Sequence, residues 1–280
     1  MQVELAEERV FRFAPRVSQE EAEGRAWAKR LDAFGALSKV ASLLSKPRDE
    51  EFSVVYREQR LQPFWRCALS TLWAYERERE YRIKVAPEVR TVELGGEQRD
   101  VQGGEIRVRG LESCREEGAR ELLVDGLAPS GRIDLAAYLK FDAAQTTAEA
   151  LSQASSEGLV VVPPEHKASA VVRDAVAGAI TKFDADRVTE ELVRIEAIDL
   201  YYRPVFAFRY RRQDKEAVVE VDGLTGAATV GGATFEAYLG RAFEPRFLID
   251  FGAEAINMVV PGANLAKMVI VKGMEMRGRR

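Results

Sequence analysis

Histidine and cysteine are scarce in this chain of 280 residues, which has one histidine, His166, and two cysteines, Cys67 and Cys114. A zinc site needs several such ligands at short spacing, so we expect no metal site. A Ser-His-Asp arrangement would depend on His166, which follows Pro163-Pro164 and precedes a polar helix start. A solvated or capping histidine is the favoured interpretation. Nothing in the pattern requires a disulfide between the cysteines, and nothing excludes one.

Motifs for cofactors, membranes and nucleic acids are also missing. The chain has neither a Walker A sequence nor G-x-G-x-x-G, so we expect no cofactor, and its glycine pairs are most simply turns. The first residues are acidic, unlike a signal peptide, and no window reaches the ~18 apolar residues of a membrane span. A net charge of −4 argues against binding nucleic acid through bulk positive charge. We expect a cytoplasmic protein.

The chain is organised around an alternating apolar stretch that starts at Leu200. Aromatic side chains at Phe206, Phe208 and Tyr210 fall on every second residue, which is the period of a strand with one buried face. Alternation resumes over 217–221 and ends at Asp222-Gly223 and Thr225-Gly226, where glycine suits tight turns. This pattern predicts an antiparallel meander with one apolar face.

A similar meander is predicted earlier in the chain. Pro63 opens a run in which every second residue from Trp65 to Tyr75 shares one face, and shorter alternating runs lie on either side, at 52–56 and 81–85. Residues 97–135 are less regular. Because both meanders follow the same order of parts, the sequence favours an internal duplication. The alternative is that any two α+β halves look alike at this level.

Each meander is preceded by a predicted helix. Ser18 and Glu21 form a capping box before a helix that ends at Pro47 and repeats apolar residues every three or four positions. These residues are Trp27, Leu31, Phe34, Leu37, Val40 and Leu44. The second helix begins at Ala168, after Pro163-Pro164, and its apolar face consists of Val172, Val176, Ala179 and Phe183.

We therefore expect an α+β fold of two related halves, each a helix packed on an antiparallel meander sheet. Residues 1–155 form the first repeat, with an inserted segment at 97–135, and residues 156–240 form the second. Residues 241–280 form a helical or apolar C-terminal extension for packing or oligomerisation. Pro261-Gly262 interrupts any single long helix there, and an amphipathic segment at a membrane surface is the other interpretation.

The stretch from Tyr202 to Gly226 resembles a PepSY-type unit of the broader cystatin-like group. The similarity is carried by Pro204-Val205-Phe206 at the start of a strand, and by Asp222-Gly223 and Thr225-Gly226 in the turn. In the first repeat, Ala86-Pro87-Glu88 takes the place of the Asp-Gly turn. The resemblance implies a helix on an antiparallel sheet and a non-catalytic role in restraining peptidases or mediating contacts. It implies no catalytic residues.

Three functions follow from these patterns. The first is a non-catalytic interaction or scaffold protein that contacts another protein or itself, with interaction residues Arg209, Arg211, Met258, Met268 and Arg277. The second is binding of a small apolar ligand or lipid in an aromatic cavity. Its candidate lining is Trp27, Trp65, Trp73, Phe206 and Phe208. The third, an enzyme that uses carboxylates with Arg209 or Arg211, ranks last because nothing in the sequence brings these groups together.

Overall fold

The computed structural model describes residues 1–34, 48–127, 133–180 and 184–231, together with the backbone of 269–272. It is a mixed α+β protein, mostly sheet. The helices are α1 (Gln19–Ala33), α2 (Ala148–Ser156) and α3 (Ala168–Ala179), with 3₁₀ turns at Asp49–Glu51 and Leu135–Lys140. The strands are β1 (Gln2–Leu5), β2 (Glu8–Phe13), β3 (Ser53–Lys84), β4 (Thr91–Leu94), β5 (Glu97–Asp100), β6 (Glu105–Asp125), β7 (Ala143–Thr146), β8 (Val160–Val161), β9 (Arg187–Arg212), β10 (Lys215–Asp222), β11 (Ala228–Val230) and β12 (Val269–Lys272).

Two unusually long antiparallel strands form the centre of the main sheet. β3 has 32 residues and β9 has 26, and they pair from Ser53↔Arg211 to Glu76↔Arg187 with three register shifts. Such shifts mark β-bulges, which increase the local twist of a sheet. The alternation predicted several shorter strands between Phe52 and Val85. They are one continuous strand, since β3 runs straight through Pro63.

Shorter strands lie end to end along the outer edges of this central pair. Along β9 these are β1, β2 and β10, of which the first two are parallel to β9. Along β3 they are β8, which is parallel, and then β6, which is antiparallel. Beyond them, β11 pairs with β10, β7 with β2, and β12 with β1. Strands from both predicted repeats therefore alternate within one sheet.

Proline is tolerated in both central strands because each one lies at a gap between two outer strands. Pro63 lies between β8 and β6, and Pro204 between β2 and β10. Their carbonyl oxygens accept hydrogen bonds from Gly126 and Gly223 at the outer edge, at 3.0 and 2.8 Å. In a strand the N–H and C=O of one residue point to the same side, so neither proline removes a hydrogen bond between β3 and β9.

α1 and α3 pack mainly on strands of the other predicted repeat, and α3 also contacts β9 of its own, which differs from the expectation that each half covers its own sheet. Ala22 and Ala26 of α1 are buried against β9 and β10. Val172 and Val176 of α3 are buried against residues of β3 and β9. The cause is the parallel pairing of β2 with β9 and of β8 with β3. A helix follows each of these short strands, and it therefore lies over the strands of the other repeat.

β3 and β6 continue as a two-stranded ribbon after β9 ends. Glu76 pairs with Arg187, the first residue of β9, and the next pairs, from Arg77↔Glu112 to Lys84↔Glu105, have no third strand among the described residues. The small β4–β5 hairpin joins the two strands. We call residues 77–112 the arm. The arm contains residues 97–112 of the predicted insertion at 97–135. The other residues of that insertion belong to the rest of β6 and to the chain beyond it.

The tail can be compared with its prediction only in part. Within 241–280, β12 is described, and its backbone pairs in parallel with β1. The rest of that segment, the short helix predicted at 235–239, and the predicted continuation of the first helix over 35–47 lie outside the described residues. None of the helices in the described part of the chain is both long and apolar enough to cross a bilayer.

Candidate functional site

The five aromatic residues predicted to line one cavity lie in two separate packed clusters. Trp65 and Trp73 are buried beneath α3, with 1% and 5% of their surface exposed. Phe206 and Phe208 are buried beneath α1, and the partly buried Trp27 packs on them. Both clusters pack closely, as protein interiors do. The structure therefore brings the five residues together as one pair and one triplet, not around one site.

Two of the predicted interaction residues meet at a cross-strand contact. Arg211 donates to Glu216 at 2.6 Å, and Arg209 lies 3.5 Å from the same carboxylate. A shallow groove of about 290 Å³ opens here, lined by Ala33, Arg209, Glu216, Ala217, Val218, Val230 and Gly231. The groove offers a single carboxylate, whereas glycoside hydrolysis uses two. The other three candidates, Met258, Met268 and Arg277, lie outside the described side chains.

A buried polar cluster lies on the face of the sheet opposite the helices, the same face as Arg209 and Arg211. Arg203 donates to Asp222 at 2.7 Å and also to the side-chain oxygen of Gln62. Tyr138 donates its hydroxyl to the same oxygen of Asp222 at 2.6 Å. The other Asp222 oxygen accepts from the backbone N–H groups of Leu224 and Thr225. Each buried charge is thereby matched by a partner.

The pKa shifts in this cluster follow from these contacts. Burial raises the pKa of Asp222, but hydrogen bonds from Tyr138 and the backbone, with the charge of Arg203, lower it below its ordinary value. Burial and the neighbouring carboxylate raise the pKa of the Tyr138 hydroxyl. Asp222 is therefore a fixed anion and Tyr138 a fixed donor at neutral pH. Neither is suited to exchanging protons with a substrate.

The Asp-Gly turn of this cluster occurs a second time. Asp125 accepts a hydrogen bond from Leu127 at 3.1 Å, as Asp222 does from Leu224 at 3.0 Å. The signal is in the sequence, because Val-Asp-Gly-Leu occurs at 124–127 and again at 221–224. The structure thus has an Asp-Gly turn with the same contact at Asp125-Gly126. Ala86-Pro87-Glu88, which we expected in the place of such a turn, lie on the arm beyond β3.

Two further buried charges lie on the same face as the polar cluster. Asp199 has no exposed surface and accepts from Arg9 at 2.8 Å and from Arg66 at 3.1 Å. Arg60, also fully buried, forms ion pairs with Glu58 and with Glu220. The alternation did not identify this network, because polar residues on a strand normally indicate a solvated face.

The remaining candidate site residues either have a structural role or do not lie close enough together to form a site. The carbonyl oxygen of His166 accepts from the indole N–H of Trp65 at 2.9 Å. Across the described ranges, no three His, Cys, Asp or Glu side chains come close enough to hold a metal ion. A larger groove of about 600 Å³ on the open sheet face is lined by Ser70, Thr71, Leu72, Arg115, Glu117, Gly118, Ala119, Glu190, Leu192 and Arg194. Its charges are of both signs and lie on strands, exposed to water.

The arm, by contrast, exposes apolar side chains. Seven large hydrophobic residues of the described chain are highly exposed, and four of them lie on the arm. These four are Tyr81 at 46%, Ile83 at 45%, Leu94 at 38% and Leu111 at 64%. The ribbon is held by cross-strand polar contacts, among them Arg77 and Tyr81 with Glu112. The sequence predicted a strand at 81–85, but not that it projects as an arm, because that depends on where the distant strand β9 ends.

Comparison with known proteins adds no further constraint to this geometry. No family model, curated protein or solved structure matches the chain.

Proposed function

We propose that this is a non-catalytic interaction or scaffold protein and that the arm is its contact surface. The observation that carries the proposal is the extension of β3 and β6 by eight residue pairs beyond the last pair of β9, from Arg77↔Glu112 to Lys84↔Glu105. An enzyme's site requires a cleft in which reactive groups converge. A projecting ribbon with exposed apolar side chains along its length instead suits contact with another macromolecule.

The energetics of the arm support this role. A two-stranded ribbon is marginally stable in water, because it buries few side chains; on the described arm Ile106 is the one large apolar residue that is fully buried. The arm's polar contacts are largely exposed and contribute little each. Exposed apolar groups such as Tyr81 and Leu111 add to its stability only when another surface covers them. Binding of a partner would therefore stabilise the arm most, and this partner is either another protein or a second copy of this chain.

The two alternative functions have less support. An apolar ligand would need the aromatic residues to surround one space, and they fill two packed clusters instead. An enzyme would need titratable groups free to react, and the best-placed carboxylate, Asp222, has both oxygens occupied by donors. Recognition by the arm requires neither condition.

The repeated contacts support an origin by duplication, which we infer together with the function. In both repeats the residue after a proline donates to the glycine carbonyl of the other repeat's turn: Arg16 to Gly223, at 2.8 Å, and Glu165 to Gly126, at 2.7 Å. Duplication with a swapped helix accounts for this arrangement. The PepSY-like resemblance stays a proposal, as do the packing or oligomerising role of 241–280 and the cytoplasmic location.

Site-specific photocrosslinking tests the contact role. A benzoylphenylalanine replacing Ile83, in the full chain within its native host, should give a discrete crosslinked product. The matched control replaces Val230, which is equally exposed at 47% but lies in β11, away from the arm. Adding Tyr81→Ser and Leu111→Ser should abolish the product from position 83. Equal labelling from positions 83 and 230, or none from either, would contradict the proposal.

A further inference from the structure

We propose that the outer edge of β6 pairs with the same edge of a second copy of this chain, in antiparallel orientation about a twofold axis at Cys114. The proposal rests on the interaction role, and it names both the surface and the partner. Such pairing joins the main sheets of two copies into one continuous sheet.

The edge itself is suited to strand addition. β6 has 21 residues, and among the described residues it pairs only with β3. Its pairing with β3 is continuous from Phe64↔Asp125 to Lys84↔Glu105 with no register shift, and its sequence contains no proline. Short length, bulges and proline are the backbone devices that prevent edge strands from pairing. β6 has none of them, so from Arg109 onward about every second residue presents outward N–H and C=O groups that no described strand uses. At the start of β6, Glu105 pairs with Gln102, and the Arg107 carbonyl accepts from Arg99.

The charges on β6 select the orientation of the added strand. On the face opposite the helices, Arg107, Arg109 and Arg115 precede Glu117 and Glu121, all of them exposed. Antiparallel pairing about a central axis therefore places arginines of one copy near glutamates of the other. Parallel pairing would place like charges side by side. Directly opposed or diagonal pairs of opposite charge stabilise strands, and like pairs destabilise them.

An axis at Cys114 satisfies this pattern best. It places Arg107 directly opposite Glu121 of the other copy, and Arg109 diagonal to Glu117 and Glu121. It also opposes Glu112 to Glu116 on the other face, but these carboxylates are already held by Arg77 and Tyr75 of their own chain.

The competing axis, at Glu116, depends on side chains that are already engaged. It would pair Arg107 with Asp125, which accepts from Leu127, and Glu112 with Arg120, which donates to Gly178. The charges that the Cys114 axis uses also have partners in their own chain, since Glu121 pairs with Arg66, Glu117 with Arg115 and Arg107 with Glu80. Glu121, Glu117 and Arg107 are exposed, however, and exposed pairs contribute little and can exchange partners. Asp125 is only partly exposed, so the Cys114 axis is favoured.

Charge exchange at the edge tests the proposal. One full-length variant is Arg107→Glu/Arg109→Glu, which makes both halves of the edge acidic. The other is Glu117→Arg/Glu121→Arg, which makes both halves basic. All four positions are exposed, so the fold should survive, which circular dichroism and thermal unfolding check. Oligomeric state is measured by light scattering after size exclusion, with a chain mass of 31.2 kDa.

We expect the unmodified chain to elute as a dimer, with twice the mass of one chain. Each variant alone should be a monomer, and an equimolar mixture should again give the dimer mass, because acidic and basic edges then face each other. A monomeric unmodified chain overturns the proposal, as does a dimer that neither variant disrupts. Either failure leaves the interaction role standing if crosslinking from position 83 still captures another protein, so the two ideas fail separately.

Discussion

The backbone N–H of Gly126 donates to the carbonyl oxygen of Pro63 at 3.0 Å, and a Cβ added to Gly126 would lie 2.6 Å from that oxygen. The turn can therefore approach β3 only with glycine at this position. We predict that Gly126→Ala lowers the free energy of unfolding by about 1–3 kcal/mol, because either the turn or the strand must move. Urea denaturation measures the change.

Gly24→Ala provides the matched control for this substitution. Gly24 lies exposed in α1, and an added Cβ there meets nothing within 4 Å. The same chemical change should stabilise the protein by up to about 1 kcal/mol, since alanine favours a helix interior. If both substitutions destabilise equally, close approach at Pro63 is not what requires Gly126.

Removal of Arg203 should be one of the most damaging single changes in the described chain. Arg203→Met leaves Asp222 buried without its cation and Gln62 without its donor. Breaking a buried ion pair in this way costs about 3–5 kcal/mol. The comparison is Arg194→Met, which breaks an exposed pair with Glu4 and should have a much smaller effect. Similar losses of unfolding free energy in both variants would show that the buried ion pair contributes no more to stability than the exposed one.

The contribution of Asp222 should depend on pH. Its folded pKa is lowered from the ordinary value of 3.8, so its stabilising effect is fully present above that value and is lost as pH falls through the folded pKa. The stability difference between the unmodified protein and Asp222→Asn should be large at neutral pH and shrink below pH 3.8. Urea titrations at pH 7 and in that acid range measure it. A difference that grows on acidification would contradict the assigned direction.

The two cysteines should differ sharply in reactivity. Cys67 is fully buried, and burial raises the pKa of its thiol to about 12. Cys114 is partly exposed on β6. A thiol reagent should modify only Cys114 in the folded protein and both thiols after denaturation.

With diamide as the oxidant, two Cys114 thiols at the proposed axis should lose two protons and two electrons to form an intermolecular disulfide. Mass spectrometry of the non-reduced protein reads both results.

Local patterns in the sequence predicted local structure well. The capping box of Ser18 and Glu21 is present in full, with both hydrogen bonds formed, and α3 begins at Ala168 as the spacing indicated. Strand alternation correctly identified the buried faces at 65–75 and 206–210. These features depend on neighbours close in sequence, which periodicity reports directly.

Features set by distant pairing could not be read in the same way. The parallel contact of β2 with β9 decides which meander α1 covers, and it joins residues about 190 positions apart, so no periodicity records it. The alternation at 81–85 predicted a strand of the first meander, but it could not show that this strand projects beyond the end of β9. The buried charges, such as Asp199, look like surface residues until their partners, Arg9 and Arg66, are placed beside them.

Hydrogen–deuterium exchange of the full chain at low and high protein concentration tests recognition through β6 most directly. We predict that backbone amides of 105–125 exchange more slowly as concentration rises, because their outward N–H groups become paired with a second copy. Amides of 205–211, already paired with β10 on one edge and β3 on the other, should not change. Exchange in 105–125 that is independent of concentration, in a chain that remains folded, would contradict it.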